Sequence, residues 1–110
     1  MKKIFIASDH AGFNLKKDII KYFSKKKQKI LDVGPNSNNS VDYPVYAHRL
    51  SKKVSANKGS FGILACGSGM GMSMAANKNR KIRAALCYSV KNTKLSRLHN
   101  NANIITLGAR

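Results

Sequence analysis

Residues 61–78 read FGILACGSGMGMSMAANK, and no other stretch constrains the fold as much. A short apolar run, Phe61 to Ala65, ends in Cys66. Glycines follow at Gly67, Gly69 and Gly71, and a small-residue segment of helical character covers Met72 to Lys78. That order predicts a buried strand, a tight loop and a helix start. Glycine lets the backbone turn sharply and approach a ligand with no Cβ in the way. Free amides at a helix start, with the positive end of the dipole, favour negative charge. A thiol at the mouth of such a place is biased towards thiolate. The glycines are not a dinucleotide fingerprint: the third glycine of G-x-G-x-x-G falls at Met72, and no carboxylate follows Asp42 anywhere in the chain. No Gly-Lys-Ser/Thr follows either, which excludes a Walker-type phosphate loop. By itself the loop marks an anion site of unspecified kind. Tight packing for the glycines and inert burial for Cys66 stay open beside it.

Apolar runs and amphipathic segments alternate along the rest of the chain. Lys2 to Ser8 reads as a strand, and Asp9 can cap the helix that Gly12 helps open, running from about Phe13 to Lys26. Lys29 to Val33 is a second strand, and Gly34 to Ser40 has loop composition. Asp42-Tyr43-Pro44 starts a second helix, with proline in its first turn, and Asn57 to Ser60 ends it. After the glycine loop, Ile82 to Cys87 is a fourth strand. Ser89 caps a fourth helix reaching about Leu98, and Asn103 to Leu107 is a fifth strand. This alternation predicts an α/β chain: a Rossmann-like three-layer αβα sandwich around a five-stranded parallel sheet, in one domain over residues 1–110. The expected strand order is 2-1-3-4-5, whose switch point lies between strands one and three. Asp9-His10 and Cys66-Gly67 sit at the ends of those two strands, so two separate features converge on one crevice.

Composition adds limits. Two cysteines 21 positions apart, without metal-ligand spacing, fit a reducing cytoplasmic setting, and Cys87 reads as structural. No apolar run approaches a membrane span. Twenty-one Lys and Arg against four Asp give a formal charge of +17, which draws anions towards the protein. The lysines are dispersed and no nucleic-acid recognition module is evident, so a nucleic-acid partner is not expected. His10 can bind phosphate, act as an acid or merely pack, and His48 reads as a surface residue. His99-Asn100 falls at the far edge of the predicted sheet, so it is irrelevant to Cys66 unless a second subunit delivers it.

The motifs SDHAGF (Ser8 to Phe13), DYP (Asp42 to Pro44), CGSGMGMSMAANK (Cys66 to Lys78), IRAALC (Ile82 to Cys87), LSRLHNNAN (Leu95 to Asn103) and LGAR (Leu107 to Arg110) resemble ribose-5-phosphate isomerase B and the related galactose-6-phosphate isomerase subunits. The resemblance runs along the whole chain. It implies an aldose–ketose isomerase of sugar phosphates that works through an enediolate with neither metal nor cofactor. Cys66 resembles the base that moves the proton between C1 and C2, and His99 the acid that opens the sugar ring. Gly67, Ser68, Gly69, Met70 and Gly71 resemble the cradle for the enediolate oxygens. Asp9, His10, Asn100 and Arg110 resemble substrate contacts, His10 and Arg110 beside the phosphate. A homodimer with composite sites is also implied. Members of that family usually continue past the position of Arg110 into a C-terminal helix carrying further arginines.

Overall fold

The computed structural model describes residues 2–110. Strands and helices alternate strictly: β1 (Ile4–Ser8), α1 (Phe13–Lys25), β2 (Ile30–Gly34), α2 (Tyr43–Ala56), β3 (Phe61–Cys66), α3 (Met70–Ala76), β4 (Ala84–Leu86), α4 (Val90–Asn100) and β5 (Ile104–Gly108). Every strand pairing is parallel. The expected elements are all present within two or three residues of their predicted bounds.

The order across the sheet is β2-β1-β3-β5-β4, which corrects the expected 2-1-3-4-5 by exchanging the last two strands. The reason lies in what each strand can bury. Ile104 and Thr106 of β5 are fully buried, whereas all three residues of β4 are only half-buried. A strand beside β3 is covered on both faces and must tolerate burial along its length, while a three-residue strand makes a short, safe edge. With right-handed crossovers, the exchange moves α4 to the face occupied by α1, leaving α2 and α3 together on the other. The switch point between β1 and β3 is unchanged.

The main core lies between the sheet and the α2/α3 layer. Phe5, Ala7, Leu64, Cys66 and Ile104 from the strands meet Ala47, Leu50, Val54, Met72 and Ala75 from the helices. Burying a side chain such as Leu50 contributes about 1.5–3 kcal/mol, so this layer anchors the helices on either side of the glycine loop. On the other face, α1 hides a charge. Lys16 is 1% exposed, and its Nζ donates to both oxygens of Asp32 at 2.8 and 3.0 Å and to the Pro35 carbonyl at 2.5 Å. All three ammonium hydrogens are thus used, tying α1 to the loop after β2. On α4, Ser89 and Asn92 form the reciprocal cap expected at its start, with the Asn92 N–H donating to Ser89 Oγ at 3.0 Å.

Candidate active site

The crevice over the β1/β3 switch point is assembled from four segments. β1 delivers Asp9, whose N–H donates to the Ala65 carbonyl at 3.1 Å, locking the strand end to β3. The Asp9 side chain is buried, and its Oδ1 accepts the Gly12 N–H at 2.9 Å. Asp9 does not cap α1 as expected: Gly12 is itself the N-cap, with no side-chain cap, and the Asp9 contact closes the turn that leads into the helix. Gly12 is required there, because a Cβ would stand 2.5 Å from the Ala65 carbonyl carbon and oxygen. His10 is exposed beside it and accepts the Val41 N–H on Nδ1 at 3.2 Å. A ring nitrogen that accepts carries no hydrogen, so neutral His10 presents an Nε2–H donor.

β3 delivers Cys66, which is 5% exposed and lies on the α2/α3 side of the sheet. Its sulfur is not lost in the core: Sγ accepts the Gly69 N–H at 3.0 Å, so it points into the glycine turn. Gly69 sits at φ 81°, where a Cβ would also meet Leu86 Cδ1 at 2.7 Å and the Leu107 carbonyl carbon at 3.0 Å. Backbone freedom is a necessity at this position. α3 starts at Met70, two residues before the predicted Met72, so Met70 and Gly71 are its first turn rather than loop. The N–H groups of Gly67, Ser68 and Gly71 donate to no other residue among those described. Three free amides therefore stand beside the sulfur, the arrangement that stabilises charge developing on an oxygen.

The exchanged strand order brings in the fourth segment. Because β5 adjoins β3, the chain leaving β5 runs along the glycine loop: the Ala109 N–H donates to the Cys66 carbonyl at 2.8 Å, and the Arg110 N–H to that of Gly67 at 3.0 Å. The Arg110 guanidinium lies over Gly67, with Nη1 3.1 Å from where a Cβ would stand. The structure thus gathers Asp9, His10, Cys66, Gly67, Ser68, Gly69, Met70, Gly71 and Arg110 at one end of the sheet.

His99 and Asn100 are not gathered there. They occupy the last turn of α4, which runs away from the crevice for about 16 Å at 1.5 Å per residue. The Asn100 carbonyl accepts Arg83 Nε at 2.6 Å, just before β4 begins. The separation expected for His99 is real, but it lies along the strands, at their N-terminal end, rather than across the sheet at its far edge. One neighbour of the crevice escaped the sequence reading: the Tyr43 ring packs over Gly71, its Cε1 2.8 Å from a Cβ built there, and the residue is 40% exposed. Its signals were its place in the DYP motif and the adjoining Pro44, which fixes α2 to begin at this spot.

A parallel α/β sheet with a thiol, a buried carboxylate, free amides and an arginine over its switch point defines an α/β protein built to act on a small anion. The family model described as Ribose/Galactose Isomerase matches residues 4–110, and the chain belongs to that family. The ribose-5-phosphate isomerase B of Escherichia coli is 40% identical over 110 residues, covering 100% of this chain and 74% of the relative. A ribose 5-phosphate isomerase from Thermotoga maritima superposes with a TM-score of 0.96 at 50% identity, covering 99% of this chain and 75% of that one. The ribose-5-phosphate isomerase B of Mycoplasma genitalium with bound ribulose-5-phosphate superposes at 0.93, with 44% identity and coverage of 98% and 72%.

Proposed function

We propose that this chain interconverts ribose 5-phosphate and ribulose 5-phosphate. The observation that carries the reading is the Cys66 sulfur held against the Gly69 amide, inside a turn where the amides of Gly67, Ser68 and Gly71 donate to no other described residue. In the aldose-to-ketose direction, the Cys66 thiolate removes the proton from C2. The electron pair moves into a C1–C2 double bond and the carbonyl oxygen becomes anionic. The amides of Gly67, Ser68 and Gly71 hold that oxygen; the proton of the C2 hydroxyl passes to the C1 oxygen, and as C2 becomes the carbonyl the C1–C2 electron pair takes the proton back from the same sulfur onto C1. The phosphate lies between the Arg110 guanidinium and His10 Nε2–H, an end grip that fixes C1 and C2 over the sulfur. Asp9, pinned by Gly12, accepts from a sugar hydroxyl.

Ring opening falls to His99, with Asn100 beside it, from a second copy of the chain. The separation within one subunit supports this reading, and apolar surface for an interface is at hand: Tyr88, Val90 and Leu98 are 81, 73 and 79% exposed. Cytoplasmic residence suits two free cysteines, and no helix among the described residues is long and apolar enough to cross a membrane.

The test is a turnover assay with ribose 5-phosphate beside galactose 6-phosphate and allose 6-phosphate. The highest kcat/KM is expected on the five-carbon sugar, and a six-carbon preference would reassign the substrate. Mixing C66A with H99A after mild dissociation tests the shared site. Half the dimers would be mixed, each with one intact site, so activity should recover to about one quarter of wild type. No recovery, with mixed dimers verified, would overturn the shared site, and H99A active by itself would place His99 outside the reaction.

A further inference from the structure

At the opposite end of the sheet from Cys66, the segments that lead into β1, β3, β4 and β5 enclose a 530 Å³ cavity with the ends of α2 and α4. Five of its twelve lining residues are cations: Lys2, Lys58, Lys81, Arg83 and Arg97. Across the chain the share is 21 of 110, so this lining is about twice as basic as the protein's already high average. No aspartate lines it. Asp9 and Asp42 lie at the other end of the sheet, Asp18 is on α1, and Asp32 is taken by Lys16.

Compensation of helix ends explains only part of this lining. The C-terminal carbonyls of α4 call for positive charge, and the two arginines answer. Arg83 Nε donates to the Asn100 carbonyl at 2.6 Å, and Arg97 Nη1 donates to Ala102 O at 2.7 Å and Asn101 Oδ1 at 3.1 Å. These contacts fix both guanidinium forks in place. Arg97 also lies 4.9 Å from the Phe61 ring centroid, with Lys2 Nζ 5.5 Å from the same ring. Two cations thus share one aromatic ring with no carboxylate between them. The ammonium groups of Lys58 and Lys81 meet no acceptor among the described residues, and no fold requirement accounts for them.

We propose that this cavity is a second anion site, which takes a linear polyphosphate chain, free or as the triphosphate of a nucleotide. The volume falls within the roughly 300–1,000 Å³ of small-molecule sites. Cations contributed by separate segments around such a space match several phosphates in a row better than one compact ion. Fixed guanidinium forks read phosphate oxygens bidentately, and lysines add mobile point charge. Dense like charge in a concavity concentrates anions there.

The experiment titrates the whole chain calorimetrically with tripolyphosphate, ATP and orthophosphate in 0.15 M salt, without divalent ions. Tripolyphosphate is expected to bind at least tenfold tighter than orthophosphate. ATP matching tripolyphosphate would identify the chain as the ligand, and ATP binding tenfold tighter would identify a nucleotide. The K58Q/K81Q variant should weaken binding at least tenfold while isomerase turnover stays unchanged. K25Q/K26Q, which removes the same charge from the end of α1, should leave binding within twofold. Equal losses in both variants, no binding at this salt, or single-stranded RNA that tripolyphosphate cannot displace would each overturn the proposal.

Discussion

The two ends of the sheet that we assign to anions are built on opposite principles. At the C-terminal end the atoms proposed to act belong largely to the backbone or to short buried side chains. Cys66 and Asp9 are each held by a glycine amide, and Arg110 is set by strand pairing. At the N-terminal end the charge sits on long side chains, Lys2, Lys58 and Lys81, all exposed. The first arrangement fixes where an electron pair will be to within a bond length. The second raises a local potential and tolerates displacement. A chain can therefore carry a large net charge without disturbing its chemistry, provided that the chemistry is done by groups whose positions the fold dictates.

The comparison breaks first at Cys66. If position governs the C-terminal end, removing the one mobile-electron atom should be catastrophic while the fold barely notices. Cys66→Ala is expected to lower kcat on ribose 5-phosphate by about 10²–10⁴-fold, the range for a lost general base, with the thermal midpoint close to wild type. Cys66→Ser keeps the shape and tests the sulfur itself, and it should be nearly as impaired. Turnover within tenfold of wild type in the alanine variant would assign the base elsewhere.

Gly69→Ala separates position from charge more finely, since it leaves every side chain of the crevice intact. Its φ of 81° and the approaches to Leu86 and Leu107 make any Cβ costly. The expected loss of stability is about 2–4 kcal/mol, combining left-handed strain with overpacking. Denaturant melts would register it, and residual activity should fall further than stability explains, because the amide would no longer meet the sulfur.

Much of this was legible before any coordinates. The elements followed from apolar periodicity and caps, because local patterns report local structure, and Asp9, His10 and Cys66 met where the alternation places the switch point. The exchange of β4 and β5 was not legible. It depends on which strand can be covered on both faces, a property of the assembled layers. From that one exchange came the miss over where His99 lies and the contact between Arg110 and Gly67, which the motif resemblance had supplied without a position. Lys16 shows the same limit: nothing in the local pattern of α1 announces a buried charge, and only Asp32 and Pro35, brought over by β2, make its burial possible.

Arg110 is the residue at the C-terminal end that most resembles those at the other, an exposed cation, and so it tests how sharp the division is. Its backbone is fixed by Gly67, but the role we propose for it rests on charge and fork geometry. Arg110→Ala should raise KM about 10–100-fold, the worth of a charge-assisted hydrogen-bonded pair, with kcat affected less. Arg110→Lys should recover only part, since the planar fork is lost. A drop confined to kcat would mean that Arg110 acts on the reacting atoms rather than on the phosphate.

The smallest effect is the most discriminating about where the crevice ends. Ser8 is fully buried one residue before Asp9, and its Oγ meets no partner among the described residues; Ser51, inside α2, is in the same condition. An unpaired buried hydroxyl costs stability, so Ser51→Ala should be neutral or gain up to about 1 kcal/mol. If Ser8 is only a spacer, Ser8→Ala should behave identically, with kcat and KM untouched. If its hydroxyl instead serves a sugar oxygen or orients Asp9, Ser8→Ala will gain the same stability and lose turnover, while Ser51→Ala loses none. Such a split would show the fold leaving a polar group unsatisfied only where a substrate completes it, and would carry the fixed-position end of the sheet one residue deeper than its visible contacts.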